Sequence, residues 1–296
     1  MPSFSIIIPT YNCAPYLKTA LESISNQKYD LDKIEILVID DGSIDNTPQI
    51  VNQFKETHPE LNLQYFYKDN QNWGSVLNFV KHQKLATKDY ITVLDADDTL
   101  NKNIFKNLKK ININNYDLVI SDFHKKRSHY VFHVFTYDYF LKHPKNKNQA
   151  QTPFCVPLGK FAKKELFYDL PDFKEKTPYQ DAYYSLQLIN QASKIRHLNK
   201  SAGNYYYKRI GNSMSLPWQG SRYLTEVQIC LDFLKNDSQE LVAFHLLRRS
   251  FRKLVKENLY RFPIKRSFKF QNIPWYARWT MRLIYFFFLK SCFRKV

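Results

Sequence analysis

Glycine is scarce in this chain, with six residues among 296. A phosphate-cradling loop needs bare backbone N–H groups packed closely around the anion. No such glycine-rich loop follows the first apolar run, where Tyr11-Asn12-Cys13-Ala14-Pro15 stands instead, and this disfavours a nucleotidyltransferase. The four cysteines, Cys13, Cys155, Cys230 and Cys292, lie far apart without paired spacing, which disfavours a disulfide framework. No apolar run approaches the roughly 18 residues that a membrane span requires. The longest, Leu283 to Leu289, has seven. The opening Met-Pro-Ser-Phe-Ser-Ile-Ile-Ile-Pro lacks the basic region and long apolar core of a signal peptide. Together these absences predict a reduced, cytoplasmic protein.

Acidic residues are also nearly missing from one stretch. From Arg248 to Val296 there are 14 Lys and Arg against Glu257 alone, so about +13 of the net +17 lies there. Aromatic residues are plentiful, with 23 Phe and 21 Tyr. In Lys265–Val296 they interleave with cations as Phe268, Phe270, Trp275, Tyr276, Trp279 and Phe286 to Phe288. Aromatic bodies with basic heads suit an anionic leaflet, so the tail predicts a peripheral protein at the inner face of the cell membrane. Packing against another subunit or the core is the second reading, so an oligomer is left open. Nucleic-acid binding is the third and is not expected.

Along the first hundred residues, strand and helix patterns alternate. Phe4–Ile8, Ile34–Ile39, Leu63–Tyr67 and Tyr90–Leu94 read as buried strands, and Tyr16–Ser25, Thr47–Lys55 and Ser75–Leu85 as helices. That order predicts an α/β fold, with a mainly parallel sheet flanked by helices. Further on, Asn101–Ile111 reads as a helix, Asp117–Ser121 and Ser128–Phe135 as strands, and Asn146–Thr152 as a polar loop. Lys163–Phe167 and Asp181–Gln191 then suit helices and Asn204–Lys208 a strand, before a helical, basic pattern from about Gly220.

The densest chemistry is the tetrad Asp95-Ala96-Asp97-Asp98 just past the fourth strand. Three carboxylates within four residues repel one another unless a cation intervenes. Mg²⁺ or Mn²⁺ suits the place, because such ions take one or two carboxylates together with phosphate oxygens. Alone, the tetrad is equally well explained as the cap of a helix. The first strand, however, ends in Pro9-Thr10-Tyr11 and the second in Asp40-Asp41-Gly42-Ser43. If the strands are parallel, all three motifs open on one rim, where open α/β sheets bind ligands. A phenol can stack on a base, and carboxylates can accept imide or ribose donors. His124, His129 and His133 have no acidic or cysteine partner nearby and read as scattered histidines, not as a zinc site.

Seven segments together resemble the inverting glycosyltransferases of family 2, which have the GT-A fold. They are SIIIPTYN (Ser5–Asn12), EILVIDDGSIDNT (Glu35–Thr47), NWGSVLN (Asn72–Asn78), LDADD (Leu94–Asp98), VPLGKFAKKELF (Val156–Phe167), TPYQDAYYSLQLI (Thr177–Ile189) and YYYKRIGNSMS (Tyr205–Ser215). The resemblance implies a Rossmann-like sheet, with residues 1–98 binding the nucleotide sugar, 99–217 binding the acceptor, and 218–296 as a helical basic extension. It implies that Asp40 and Tyr11 hold the base, with Pro9, Thr10 and Asp41 nearby, and that Asn72, Gly74, Asn78 and Ala96 line the donor site. Asp95 would contact ribose, Asp97 would ligate Mn²⁺ or Mg²⁺, and Asp98 would orient the sugar or assist the metal. Asp181 would be the catalytic base, with Arg209 and Ser213 closing over the diphosphate or acceptor. The implied substrates are a nucleoside-diphosphate sugar, UDP favoured, and a glycan or lipid-linked acceptor in cell-surface polysaccharide synthesis. A basic nucleic-acid-binding protein and an inactive partner subunit on the same fold are the rivals. Two departures stand out: Gln180 replaces a glutamate before the base, and Trp73 and Leu77 replace smaller residues, with no arginine before Asn78.

Overall fold

The computed structural model describes residues 1–127, 130–134, 156–177, 180–207 and 209. These belong to one compact unit, Met1–Asn146 with Thr152–Leu216. Ser213, His129 and the whole basic tail fall outside the described residues, as does the polar loop expected at 146–152.

Nine strands are present among the described residues: β1 (Phe4–Thr10), β2 (Ile34–Asp40), β3 (Asn62–Tyr67), β4 (Tyr90–Val93), β5 (Thr99–Leu100), β6 (Leu118–Arg127), β7 (Tyr130–Val134), β8 (Lys160–Lys163) and β9 (Ile195–Tyr206). They form one sheet in the order β3-β2-β1-β4-β8-β6-β9-β5, with β7 beside β6. The first four are mutually parallel, as the alternation of strands and helices predicts. β8 runs antiparallel to β4 and β6, while β9 runs parallel to β6. The sheet is therefore mixed.

Among the described residues, six helices flank it: α1 (Ala14–Ser25), α2 (Thr47–Thr57), α3 (Trp73–His82), α4 (Ile104–Lys110), α5 (Lys164–Tyr168) and α6 (Gln180–Gln191). Successive side chains of β1 point to opposite faces. Phe4, Ile6 and Ile8 pack with Leu17 and Leu21 of α1, Val51 of α2 and Phe105 of α4. Ile7 packs on the other side with Val76 and Val80 of α3, Phe167 of α5 and Leu188 of α6. Both faces are covered, so β1, β2 and β4 are buried along their length and mostly apolar. Each fully buried Leu, Ile or Phe contributes roughly 1.5–3 kcal/mol relative to leaving it in water. Pro15 and Pro48, within the first turns of α1 and α2, suit positions whose N–H would have no helical partner.

The differences from the sequence expectation have local causes. α4 begins at Ile104, not Asn101, because the Asn101 side chain accepts the Asn103 N–H at 3.0 Å and makes a turn there. β8 was not foreseen because Lys160 and Lys163 disguise a buried strand. Lys160 is in fact buried, its ammonium donating to the Val156 carbonyl. β9 begins at Ile195, nine residues before the expected start, and pairs with β6 across register shifts around Asp122 that blur its alternation.

One close approach fixes the tetrad against β9. β5, directly after Asp98, pairs with β9 through Leu100 and Gly203. A Cβ on Gly203 would lie 1.9 Å from the Thr99 carbonyl oxygen. Gly203→Ala should therefore destabilise the fold by about 2–4 kcal/mol, as overpacking against rigid backbone does. A lowered urea midpoint would register it, and an unchanged midpoint would mean that β5 is free to move.

Candidate active site

Parallel pairing brings the ends of β1, β2 and β4 to one rim. Thr10 lies opposite Asp40, and Ile7 opposite Val93. The Asp41 N–H donates to the Thr10 carbonyl at 2.8 Å, and Leu94 N–H to Ile7 at 2.9 Å, so the strands stay joined up to the loops. Pro9 and Thr10 are buried in β1, whereas the Tyr11 ring is 49% exposed at its end. Asn12 then links the first two loops, its N–H donating to Ser43 Oγ and its side-chain oxygen accepting from Ile44 N–H, both at 2.9 Å.

The two aspartates after β2 behave differently. Asp40 is 0% exposed, and its oxygens accept from Tyr65 OH at 2.7 Å and Ser43 N–H at 2.8 Å. It shapes the turn through these two bonds. Asp41 accepts from Lys68 Nζ at 2.5 Å and from Gln71 N–H at 3.1 Å, all through Oδ1. That leaves Oδ2 as the carboxylate oxygen at this strand end with no bond drawn from these groups.

At the end of β4 the tetrad folds as a turn closed by Asp98 N–H to the Asp95 carbonyl at 2.9 Å, which buries Ala96. Asp95 Oδ1 accepts the Trp73 indole N–H at 2.9 Å. Burial and the neighbouring Asp97 push the Asp95 carboxyl up to about 7; the Trp73 bond opposes them and Asp181 adds to them. Asp98 is 1% exposed, with Oδ1 accepting Tyr206 N–H at 2.8 Å and Oδ2 lacking a partner among the described residues. Burial, then Asp97 and Asp95, hold it well above the usual carboxylate range, against the pull of Arg209.

Asp181 occupies the first turn of α6, far away in sequence, yet its charge reaches the tetrad. Besides Asp95, the Tyr205 phenol registers it: burial, then Asp98, Asp181, Asp95 and Asp97, raise that group. Arg209 completes the cluster, its guanidinium 3.6 Å from the Tyr206 ring centroid and 4.6 Å from that of Tyr16. Asp95, Asp97, Asp98, Asp181 and Arg209 are thus brought together. Burial pushes the nearby Cys13 thiol up to about 12, which leaves it no nucleophilic character at neutral pH.

Three other expected donor residues are placed as follows. Asn72 is exposed before α3. Gly74 lets α3 approach the start of α6, since a Cβ there would lie 2.8 Å from Phe173 Cβ and 3.0 Å from Gln180 Cγ. Asn78 is buried, with both ends of its amide bonded to the Phe173 backbone at 2.8 Å. Gly74 and Asn78 therefore hold the segment leading to Asp181. The same segment explains Gln180, whose amide oxygen accepts Lys174 N–H at 3.2 Å in a buried place. A glutamate there would bury a charge, which a neutral amide avoids.

Sequence reasoning missed Trp73 as a partner of Asp95, Tyr65 and Lys68 as partners of the β2 aspartates, and Tyr205 among the carboxylates. The bulky Trp73 in a segment of small residues was the signal available. No three His, Cys, Asp or Glu side chains among the described residues form a self-contained metal cage. The pair Asp97 and Asp98, with an orphaned buried oxygen, nevertheless has the oxygen donors and excess negative charge that a hard divalent cation on a diphosphate would satisfy.

Known proteins share this architecture. The family model described as glycosyl transferase family 2 matches residues 5–171. A glycosyltransferase of Mycoplasma genitalium, MG060, is 45% identical over 291 residues, covering 98% of both chains. GgaA of Bacillus subtilis, a minor teichoic acid biosynthesis protein, is 35% identical over 106 residues, 36% of this chain and 24% of its own. Among solved structures, S. aureus TarS 1–349 with UDP-GlcNAc matches with a TM-score of 0.66 at 22% identity, over 89% of this chain and 76% of that one. A mannosyltransferase of Pyrobaculum calidifontis, with GDP-Man and Mn²⁺, matches with a TM-score of 0.60 at 19% identity, over 95% and 79%. The sheet order, the aspartates on its rim and near-full-length identity to MG060 lead to one assignment: the chain belongs to glycosyl transferase family 2 and is a glycosyltransferase with the GT-A fold.

Proposed function

We propose that this glycosyltransferase moves a sugar, with inversion, from a nucleoside diphosphate, UDP favoured, to a hydroxyl of a glycan or lipid-linked acceptor in cell-surface polysaccharide synthesis. The observation that supports the reading best is the shared rim at the ends of β1, β2 and β4, where Asp95, Asp97 and Asp98 crowd into one turn. Tyr11 stacks on the base, Asp41 accepts its imide N–H through Oδ2, and Asp95 accepts a ribose hydroxyl. Asp40 acts behind Asp41 by fixing the turn. Asp97, assisted by Asp98, would hold Mn²⁺ or Mg²⁺, which when bound neutralises charge on the diphosphate. Arg209, held between two tyrosine rings, adds a positive charge on the leaving-group side, and Ser213 has the role that the resemblance implies, closing over the diphosphate or acceptor.

Asp181 accepts the proton of the acceptor hydroxyl while that oxygen bonds to the anomeric carbon, whose bond to the diphosphate oxygen breaks. The diphosphate departs with that bonding pair, and attack opposite it inverts the carbon. The UDP-GlcNAc bound by TarS supports a uridine donor, and the Mn²⁺ beside GDP-Man in the mannosyltransferase supports a divalent ion. The local match to GgaA supports a polysaccharide acceptor. The charge and aromatic content of the tail support peripheral attachment to an anionic membrane, where each Lys or Arg adds about 1 kcal/mol. No helix among the described residues is long and apolar enough to cross a membrane.

A panel of UDP-, GDP- and TDP-sugars with Mn²⁺, scored for slow release of nucleoside diphosphate, tests the donor. Selective hydrolysis of one UDP-sugar is expected. Release from none, in protein that is folded and supplied with metal, would overturn the reading.

A further inference from the structure

Trp73 departs from the small residue that the resemblance leads one to expect, and it occupies a junction. Its indole N–H donates to Asp95 Oδ1 at 2.9 Å. Its ring meets Tyr184 of α6 edge to face, with centroids 5.8 Å apart. Tyr184 lies one turn after Asp181, is fully buried, has no partner for its hydroxyl among the described residues, and packs its ring on Trp73 and Phe173. The next residue, Gly74, brings the same turn of α3 against Gln180.

The backbone entering this turn is strained. Asn72 has φ 73° and ψ 166°, a region that side-chain-bearing residues rarely enter unless their surroundings impose it. Its carbonyl accepts Ser75 N–H at 2.9 Å and Ser75 Oγ at 2.7 Å, and Ser75 Oγ also lies 3.4 Å from Asp41 Oδ1. One turn of α3 therefore touches Asp41, Asp95 and the helix bearing Asp181. Strain at such a place is characteristic of preorganised sites.

We propose that Trp73 is a positioning residue: its N–H aims the Asp95 carboxylate at the donor's ribose, and its ring sets that carboxylate against the helix carrying Asp181. The inference rests on the donor reading above. It assigns discrimination between ribose and deoxyribose to a bond made by neither the ligand nor the metal. Loss of the N–H frees Asp95 to rotate, and the loss falls on the ribose hydroxyl and not on the base or the diphosphate.

The test measures binding of UDP, 2′-deoxy-UDP and 3′-deoxy-UDP with Mn²⁺ by calorimetry, with the GDP series in parallel, to the full chain. Wild type should prefer the ribonucleotide over one deoxy analogue by about 10-fold or more, the worth of a hydrogen bond to a charged group. Trp73→Phe should shrink that preference several-fold. Benzothienylalanine at position 73 keeps the ring's shape and removes only the N–H, so it should do the same with an unchanged melting temperature. Asp95→Asn should also shrink the preference, and adding Trp73→Phe to it should bring little further loss, because the two act through one bond. Preference kept by the benzothienylalanine protein, equal weakening of ribo- and deoxynucleotides, or additive losses would each overturn the inference while leaving the donor reading intact. Wild type that binds nucleotides without discriminating would overturn it too. Wild type that binds none of them would overturn the donor reading and this inference together.

Discussion

Asp181→Asn should abolish sugar transfer, with turnover falling by about 10³-fold, within the range of a lost general base. Nucleotide binding should survive, and the electrostatics give the sign of any change. The charge of Asp181 bears on Asp95 and Tyr205 at the rim. Removing it lessens repulsion toward an incoming diphosphate, so donor affinity should hold or rise slightly. The fold should hold as well. Asp181 lies in the first turn of α6, where asparagine is well tolerated. Gln180 cannot take over the proton, being a neutral amide, buried, and bonded to Lys174. The informative measurement pairs turnover with nucleotide titration on the same preparation. Near-normal turnover would remove Asp181 from the chemistry, and lost binding together with lost turnover would make it part of the donor site.

What was legible beforehand depended on sequence distance. Phe4–Ile8, Ile34–Ile39 and Tyr90–Leu94 stand out as strands because both faces are buried and their residues are almost all apolar. Once those strands are parallel, the aspartates at their ends must share a rim, so that placement follows from local pattern and topology. The partners on that rim do not follow. The Trp73–Asp95 bond spans 22 positions and the Asp98–Tyr206 bond 108. Neither leaves a periodic trace. Asp40 and Asp41 look alike in sequence, yet one faces Tyr65 inside the sheet and the other faces Lys68 and the loop. Strand pleating distinguishes them, and a motif cannot. The contacts of Gly74 and Asn78 with Phe173 and Gln180 were hidden for a related reason: a motif does not show which neighbouring segment its residues also hold. β9 was hidden by its register shifts, and β8 by lysines, of which Lys160 is buried on the Val156 carbonyl and the half-exposed Lys163 pairs with Asp117.

Asp97→Asn should move stability and affinity in opposite directions. The Asp97 charge raises Asp95, Asp98, Tyr205 and Cys13, so it is a source of repulsion in the protein without ligand. Neutralising it should raise the stability of the nucleotide-free protein by about 0.5–2 kcal/mol, as removing a functional site's internal conflict commonly does. The same change removes the proposed metal ligand. UDP affinity in Mn²⁺ should fall by about 10²-fold, and EDTA should weaken wild type to a similar level while scarcely affecting the variant. Wild type should also melt at a higher temperature when Mn²⁺ and UDP are supplied together, by linkage to binding, and the variant should lose most of that increment. Asp98 offers only Oδ2, since Oδ1 is committed to Tyr206 N–H, so it supplies no additional oxygen in place of Asp97. A structural aspartate would behave otherwise: its removal would lower the melting temperature and leave the response to EDTA unchanged. Melting curves with and without Mn²⁺ and UDP, set beside the titrations, separate the two cases. A variant that is both less stable and still sensitive to EDTA would transfer the metal from Asp97 to another carboxylate of the tetrad.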